Sequence, residues 1–137
     1  MIMDREKLIG KALEARKQSY SPYSGFCVGA ALAAADGVIY TGCNIENAAY
    51  GPSNCAERTA FFKAVSEGVR EFTDIAIVGA PKDEDISDYC APCGVCRQVM
   101  SEFCDPDDFR IHLYNGREIR TYTLRELLPL AFELNGA

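Results

Sequence analysis

Two dipeptides that favour tight turns, Asp36-Gly37 and Asn115-Gly116, each separate two runs of residues that favour β-strands. An Asp-Gly or Asn-Gly pair readily adopts the left-handed backbone that a two-residue hairpin requires. Each pair therefore predicts two antiparallel strands that lie side by side in a sheet. Between the two hairpins lies a short apolar run at 73–80, which is typical of a buried strand.

Helix signals separate these strands. Asp4 can cap a first helix whose apolar residues recur at helical spacing. Asn54 is suited to open a second helix that ends at Gly68, and Pro92 fits the first turn of a third. The predicted helices span 5–19, 54–68, 92–103 and a short capping-box segment from 123, and the predicted strands span 26–34, 38–43, 73–80, 109–114 and 117–122.

The resulting order is α-β-β-α-β-α-β-β-α, with a hairpin near each end and helix-linked strands in the middle. Helical connections produce parallel neighbours, so the middle strands are expected to be parallel and the sheet mixed. Strands that are apolar along their length need helices on both faces. We therefore predict a single α/β domain over residues 1–137, with three α/β/α layers around a mixed five-stranded sheet.

Composition excludes several classes of function. The chain has 137 residues, is 48% hydrophobic and carries a net charge of −6. It therefore lacks the basic surface that neutralises phosphates, which disfavours nucleic acid and an anionic membrane as partners. The charged first residues do not resemble a signal peptide, and the longest uncharged stretch, 19–35, is short for a membrane span. We expect a cytoplasmic protein with no membrane partner.

Seven cysteines are an unusually high number for such a chain, and in a reducing compartment they indicate metal or catalytic chemistry. Cys55 and Cys93 each fall near the start of a predicted helix, where unpaired N–H groups favour thiolate. Cys96 lies three residues after Cys93 on the same helix face, so both sulfurs can reach one ion. Three sulfur ligands with an open fourth position are typical of a catalytic zinc site.

Glu57 adds a proton carrier to this site. Positions two apart on a helix face different ways, so Glu57 is poorly placed to bind the ion beside Cys55 but can lean over the open position. Water on zinc ionises at about pH 7, and a neighbouring carboxylate can move its proton to a substrate. Alternatively, Glu57 is the capping-box partner of Asn54.

The cysteines permit other interpretations. A C-x-x-C pair also suits a redox dithiol or a structural zinc site, and Cys90, Cys93 and Cys96 resemble part of an iron–sulfur ligand run. Cys90 precedes the proline that starts the helix, however, and no fourth ligand follows at the expected spacing. We expect the remaining cysteines, and the one histidine, to be structural residues: Cys27, Cys43, Cys104 and His112.

From its first helix to about Phe132, the sequence resembles the small homotetrameric zinc-dependent cytidine deaminases. Four strings of residues carry the resemblance in addition to the segment around Cys93. They are Ser21-Pro-Tyr-Ser-x-Phe26 with Val28-Gly-Ala30, Gly42-Cys-Asn-Ile-Glu-Asn-Ala-Ala-Tyr50, Cys55-Ala-Glu-Arg-Thr-Ala60 and Leu127-Leu-Pro-Leu-Ala-Phe132. The family performs hydrolytic deamination of cytidine and 2′-deoxycytidine in pyrimidine salvage, which becomes the expected function.

The resemblance also implies roles for particular residues. One Zn²⁺ per chain would be held by Cys55, Cys93 and Cys96, and Glu57 would shuttle the proton. Asn44 and Glu46 would hold the sugar hydroxyls of the nucleoside. The full set of implied substrate contacts is Phe26, Asn44, Glu46, Ala48, Tyr50, Ala56 and Phe132. Of these, Phe132, Ala48 and Tyr50 would contribute to a neighbouring subunit's pocket in a homotetramer with shared active sites.

Arg58 has a separate physical argument. Three thiolates on Zn²⁺ leave a net charge of −1, which opposes ionisation of water there, so an adjacent cation should help. Arg58 follows Glu57 directly, although it could also be a solvated helix residue. Gln98, close to Cys96 in sequence, is expected to support the metal site from behind its ligands.

Two alternatives from other classes remain open at this point. One is a related zinc deaminase acting on a different aminopyrimidine, such as a nucleoside antibiotic. The other is a non-enzymatic zinc module or an RNA editor, although the acidic net charge disfavours the editor.

Overall fold

The protein is described by a computed structural model that covers residues 3–132. Its element order is the predicted one. The helices are α1 (Arg5–Arg16), α2 (Ala56–Ser66), α3 (Gly94–Phe103) and α4 (Leu124–Leu127), and the strands are β1 (Phe26–Ala34), β2 (Ile39–Cys43), β3 (Phe72–Pro81), β4 (Arg110–Tyr114) and β5 (Ile119–Thr123). The five strands form one sheet in the order β2-β1-β3-β4-β5.

Both predicted hairpins are present. Strands β1 and β2 are antiparallel, as are β4 and β5. The turn glycines adopt the expected left-handed backbone, with φ of 89° at Gly37 and 93° at Gly116. At Gly116 a side chain is also excluded by space, because a Cβ atom there would lie 2.2 Å from the carbonyl oxygen of Ile86.

The prediction that the middle strands are all parallel is only partly right. Strands β3 and β4, which α3 connects, are parallel neighbours. Strands β1 and β3 are antiparallel, with Val28 opposite Gly79. The helical connection through α2 starts at the edge strand β2 and passes over β1, so the two strands that it links are not adjacent.

Helices cover both faces of the sheet, as predicted. On one face, α1 buries Leu8, Ile9 and Ala12 against small side chains of β1 and β3. On the other face, α2 and α3 pack around an aromatic core in which Phe61 lies edge-on to Phe72, with ring centroids 5.1 Å apart. Burial on both faces accounts for the unbroken apolar runs in these strands.

Several helix boundaries differ from the sequence prediction by one to three residues. Helix α1 ends at Arg16 rather than at 19, because the chain turns so that the Tyr20 N–H can donate to the Asn44 carbonyl at 3.0 Å. Helices α2 and α3 begin later than expected, with Cys55 and Cys93 as their N-caps. Asn54 cannot cap α2, since its backbone pairs with Ile45 in a β-bridge.

None of the helices within residues 3–132 combines the length and the apolar character needed to cross a bilayer. The predicted domain, 1–137, includes terminal residues that lie outside the described part.

Candidate active site

Three cysteine sulfurs meet where the N-termini of α2 and α3 come together. Cys55 and Cys93 are the N-caps of the two helices, and Cys96 lies in the first turn of α3. The Sγ atoms of Cys55 and Cys93 are 3.8 Å apart, those of Cys93 and Cys96 are 3.4 Å apart, and all three lie within 4.8 Å of one another. Sulfurs at 2.3 Å from a tetrahedral zinc would be separated by about 3.8 Å. The donor type and the spacing therefore fit Zn²⁺.

The surroundings of these sulfurs favour negative charge. The Cys96 N–H, at the start of α3, points at the Cys93 sulfur at 3.5 Å, and the Arg58 guanidinium donates to the Cys55 sulfur at 3.3 Å. Hydrogen bonds from the Cys96 thiol and from Arg58 lower the pKa of Cys55 to about 5. The negative sulfur of Cys55 in turn raises the pKa of Cys96. A divalent cation would release the remaining thiol protons as it bound.

Glu57 is the second residue of α2, and only 4% of its surface is exposed. Burial raises the pKa of its carboxyl group to about 7, and the negative charge on Cys55 acts in the same direction. The capping interpretation fails, because the Asn54 N–H donates to the Ile45 carbonyl at 2.8 Å. Glu57 is therefore a buried carboxyl group available to accept and return a proton.

A cavity of about 440 Å³ opens in front of this centre. Its size suits a small molecule of nucleoside dimensions. The predicted site residues that line it are Phe26, Asn44, Glu46, Tyr50, Cys55, Ala56, Glu57, Arg58 and Cys93. The sulfurs of Cys55 and Cys93 and the carboxyl group of Glu57 therefore share one cavity with two aromatic rings and with the polar side chains of Asn44 and Glu46.

The two polar side chains are held in place by the backbone around them. The amide oxygen of Asn44 accepts from the Val28 N–H at 2.9 Å, and its amide nitrogen donates to the Phe26 carbonyl at 2.8 Å. The Glu46 carboxylate accepts from the N–H groups of Tyr23 and Ser24, each at 3.0 Å. Hydrogen bonds from Ser24 and Tyr23 lower the pKa of Glu46, so its carboxylate is ionised near neutral pH. Each group retains hydrogen-bonding capacity toward the cavity.

Four predicted site residues lie outside the cavity lining. Cys96 is buried, with its sulfur 3.4 Å from that of Cys93. Ala48 lies in the exposed loop before Tyr50, and Phe132 is 66% exposed. Gln98 donates to the Phe132 carbonyl at 3.0 Å, so its amide holds the C-terminal segment of the described chain.

Sequence reasoning missed several lining residues: Val28, Ser53, Asn54, Cys90 and Ala91. Cys90 had a signal in its three-residue spacing from Cys93, but nothing in the sequence placed it in a cavity. Burial raises the pKa of its thiol to about 11.

The expected structural residues lie elsewhere in the fold. Cys27 and Cys104 are buried as expected, whereas Cys43 is partly exposed. His112 is buried outside the cavity, and its ring nitrogens each lie 2.8 Å from an oxygen of Asp74 or Thr121.

Comparisons with known proteins agree with this geometry. The sequence profile of the cytidine and deoxycytidylate deaminase zinc-binding region matches residues 3–110. A cytidine deaminase from Sporosarcina psychrophila is 54% identical over 131 residues, which cover 95% of this chain and 92% of that protein. One from Halalkalibacterium halodurans is 52% identical, covering 95% of each.

Solved structures show the same fold. The crystal structure of cytidine deaminase from Burkholderia pseudomallei superposes with a TM-score of 0.85 at 47% identity, over 95% of this chain and all of that one. The resemblance stated from the motifs and the zinc cofactor are thus confirmed. With its zinc-binding cysteine cluster and its mixed five-stranded sheet, this chain belongs to the cytidine and deoxycytidylate deaminase family.

Proposed function

We propose that the chain hydrolyses cytidine and 2′-deoxycytidine to uridine and 2′-deoxyuridine, releasing ammonia, and serves pyrimidine salvage. The observation that carries the proposal is the position of Glu57, whose buried carboxyl group lines the same cavity as the clustered sulfurs of Cys55 and Cys93. Two relatives that are 54% and 52% identical over 131 residues are both named cytidine deaminases, which supports the choice of substrate.

Glu57 moves the protons in this reaction. Cys55, Cys93 and Cys96 would hold Zn²⁺, which when bound would supply a Lewis acid that makes water more acidic and offsets negative charge on oxygen. Glu57 takes a proton from the attacking water and delivers it to N3 of the base as the C4–O bond forms. It then takes the second proton of that water from the hydroxyl group now on C4 and passes it to the amino group, which leaves as ammonia when the C4–N bond breaks and the C4 carbonyl forms.

The remaining cavity residues orient the nucleoside. Asn44 and Glu46 bind the sugar hydroxyls with the hydrogen-bonding capacity that their backbone contacts leave free. Phe26 packs against the base, since its ring is partly exposed in the cavity wall. Ala56 is the first residue of α2, so its N–H has no partner within the helix and is available to the base.

We also propose a homotetramer with shared active sites. Tyr50 at the cavity mouth is 94% exposed, and the exposed ring of Phe132 is carried on a segment that Gln98 holds. Large aromatic side chains contribute most binding free energy when another surface covers them, so we assign Tyr50 and Phe132 to contacts with adjoining subunits. We assign Ala48 to the same contacts because it lies in the loop of Tyr50. None of the seven cysteines forms a disulfide bond in the structure, which suits a cytoplasmic location.

The test combines metal analysis with an absorbance assay on the purified protein. Cytidine, 2′-deoxycytidine, free cytosine and blasticidin S would be compared, with and without a zinc chelator. We expect about one zinc per chain and chelator-sensitive turnover of both nucleosides. Preferred turnover of blasticidin S would indicate a different aminopyrimidine deaminase, and bound zinc without any turnover would indicate a structural zinc module.

A further inference from the structure

The row of side chains that β3 directs toward α2 and α3 ends in a glycine at the active-site cavity. Alternate residues of a strand face the same side, so Ile75, Ile77 and Gly79 share this face. The two isoleucines are fully buried in the core between the sheet and the helices. Gly79, the next position, lies opposite Val28, which lines the cavity. The core therefore gives way to the cavity at the point where β3 has no side chain.

Two cavity-lining side chains occupy the space beside Gly79. A Cβ atom at this position would lie 2.8 Å from the sulfur of Cys90 and 2.9 Å from Cε2 of Phe26. A Cβ atom does not approach a non-bonded heavy atom within 3.0 Å in protein structures, so one or both of these side chains would have to move. Phe26 and Cys90 consequently both rest on the bare backbone of β3.

We propose that Gly79 and Cys90 are positioning residues that fix the ring of Phe26 at the depth where it packs against the pyrimidine base. This inference rests on the proposed function.

The contacts of Phe26 explain why its ring needs this support. Its backbone is fixed, because its N–H donates to the Ser24 hydroxyl at 3.0 Å and its carbonyl accepts from Asn44 at 2.8 Å. Its side chain is 39% exposed in the wall of an open cavity and has no such bonds. The direction of the ring therefore depends on what it packs against. Its Cε2 atom and the Cys90 sulfur both lie within 3.0 Å of the position that a Cβ atom of Gly79 would take, so the two side chains share the space above this glycine.

The first test is Gly79→Ala in the zinc-loaded protein. The added methyl group displaces the ring of Phe26, so part of the aromatic packing against the base is lost. We expect the KM for cytidine to rise roughly five- to tenfold, the loss of one well-packed aromatic contact, with kcat within about twofold of the parent. Zinc content should not change. Gly10→Ala is the matched control, because a Cβ atom there meets nothing within 4 Å.

Cys90→Ala tests the same support from the other side. Removing the sulfur opens space above Gly79, so on its own it should raise KM by only about two- to threefold, a small packing loss. In Gly79→Ala/Cys90→Ala the ring can move into the space left by the sulfur. We expect the KM of the double variant to lie below the product of the two single effects, as for residues in contact.

A binding measurement separates positioning from a general loss of activity. The dissociation constant of uridine, measured by calorimetry on the zinc-loaded variants, should rise by the same factor as KM. A Gly79→Ala protein with parental KM and uridine affinity would overturn the proposal, as would single effects that simply multiply in the double variant. Should Gly79→Ala fail to fold, an unchanged uridine affinity in Cys90→Ala would overturn it instead. An inactive parent protein would refute the proposed function, whereas an active parent with unaffected variants would refute only this inference.

Discussion

Arg58 offers a direct test of how the charge of the metal centre is balanced. Three thiolates leave a bound Zn²⁺ with one excess negative charge, and the Arg58 guanidinium lies 3.3 Å from the sulfur of Cys55. Its Nε atom is buried without a hydrogen-bond partner among the described residues, so the side chain is directed at the cluster by packing as well as by this bond. Arg58→Ala removes the guanidinium and leaves the negative charge on the Cys55 sulfur without this compensating positive charge.

The size of the effect follows from the type of contact. A hydrogen bond to a charged group contributes about 1.5–3 kcal/mol, and a tenfold change corresponds to about 1.4 kcal/mol. We therefore expect zinc affinity to fall by roughly ten- to a hundredfold, the range found for residues that support metal ligands. The kcat of the zinc-saturated protein should fall by about tenfold or more, because uncompensated negative charge near the ion opposes ionisation of water.

Zinc affinity would be measured by competition with a chromophoric chelator, and kcat on protein held at saturating zinc. Arg117→Ala is the matched control, since it removes the same charge from an exposed turn. If Arg58→Ala matched the parent in both zinc affinity and kcat, Arg58 would be an ordinary helix arginine and the charge argument would be wrong.

Three further outcomes are expected. Glu46→Gln should raise KM several-fold for both nucleosides with little effect on kcat, because the role proposed for the ionised carboxylate is to bind sugar hydroxyls rather than the reacting atoms; a main effect on kcat would contradict this role. Phe61→Ala should lower the free energy of unfolding by about 3–5 kcal/mol in denaturant titrations, since the ring is fully buried among other aromatic rings, and a loss below about 1 kcal/mol would contradict that packing. Burial alone would raise the pKa of Asp74, but hydrogen bonds from His112 and Thr73 lower it. Its stabilising contribution is therefore present above the ordinary carboxyl pKa near 4 and is lost as the pH falls through the lower folded value, so the stability gap between the parent and Asp74→Asn should narrow in acid; a constant gap from pH 6 to pH 3 would refute the assignment.

The hairpins and helices could be predicted because their signals are local. An Asp-Gly or Asn-Gly pair specifies its own turn, and both turns have the expected backbone at Gly37 and Gly116. Strand order is not local information. The antiparallel pairing of β1 with β3 arises because the connection through α2 is long enough to pass over a strand, and no residue pattern encodes which strand is skipped.

The start of α2 shows how a distant partner overrides a local preference. Asn54 is a favoured N-cap type, yet Ile45 pairs with its backbone and moves the cap to Cys55. The shift places Cys55 at the N-terminus of α2, where its sulfur lies 3.8 Å from that of Cys93 at the N-terminus of α3. A one-residue error in the sequence prediction thus fell at the metal centre.

The residues of the candidate site likewise fall into those that the sequence alone could predict and those that it could not. The spacing of Cys93 and Cys96 and the position of Glu57 have a chemical meaning in the sequence alone. Asn44 and Phe26 do not, since a polar turn residue and an apolar strand residue suggest a loop and a core until the fold brings them to one cavity. Cys90 comes before the proline that precedes α3 and is not part of that helix, so helical periodicity could not have predicted its position in the cavity wall.

The most direct test of the central claim is the turnover of Glu57→Gln measured together with its zinc content. Gln preserves the shape of the buried side chain but cannot carry a proton, and general acid–base groups contribute roughly 10²–10⁴ in rate. We expect one zinc per chain, unchanged folding and a loss of kcat of at least about a thousandfold, because the proposed mechanism uses the same carboxyl group for both proton transfers. A zinc-loaded Glu57→Gln protein that deaminates cytidine at close to the parental rate would contradict the mechanism.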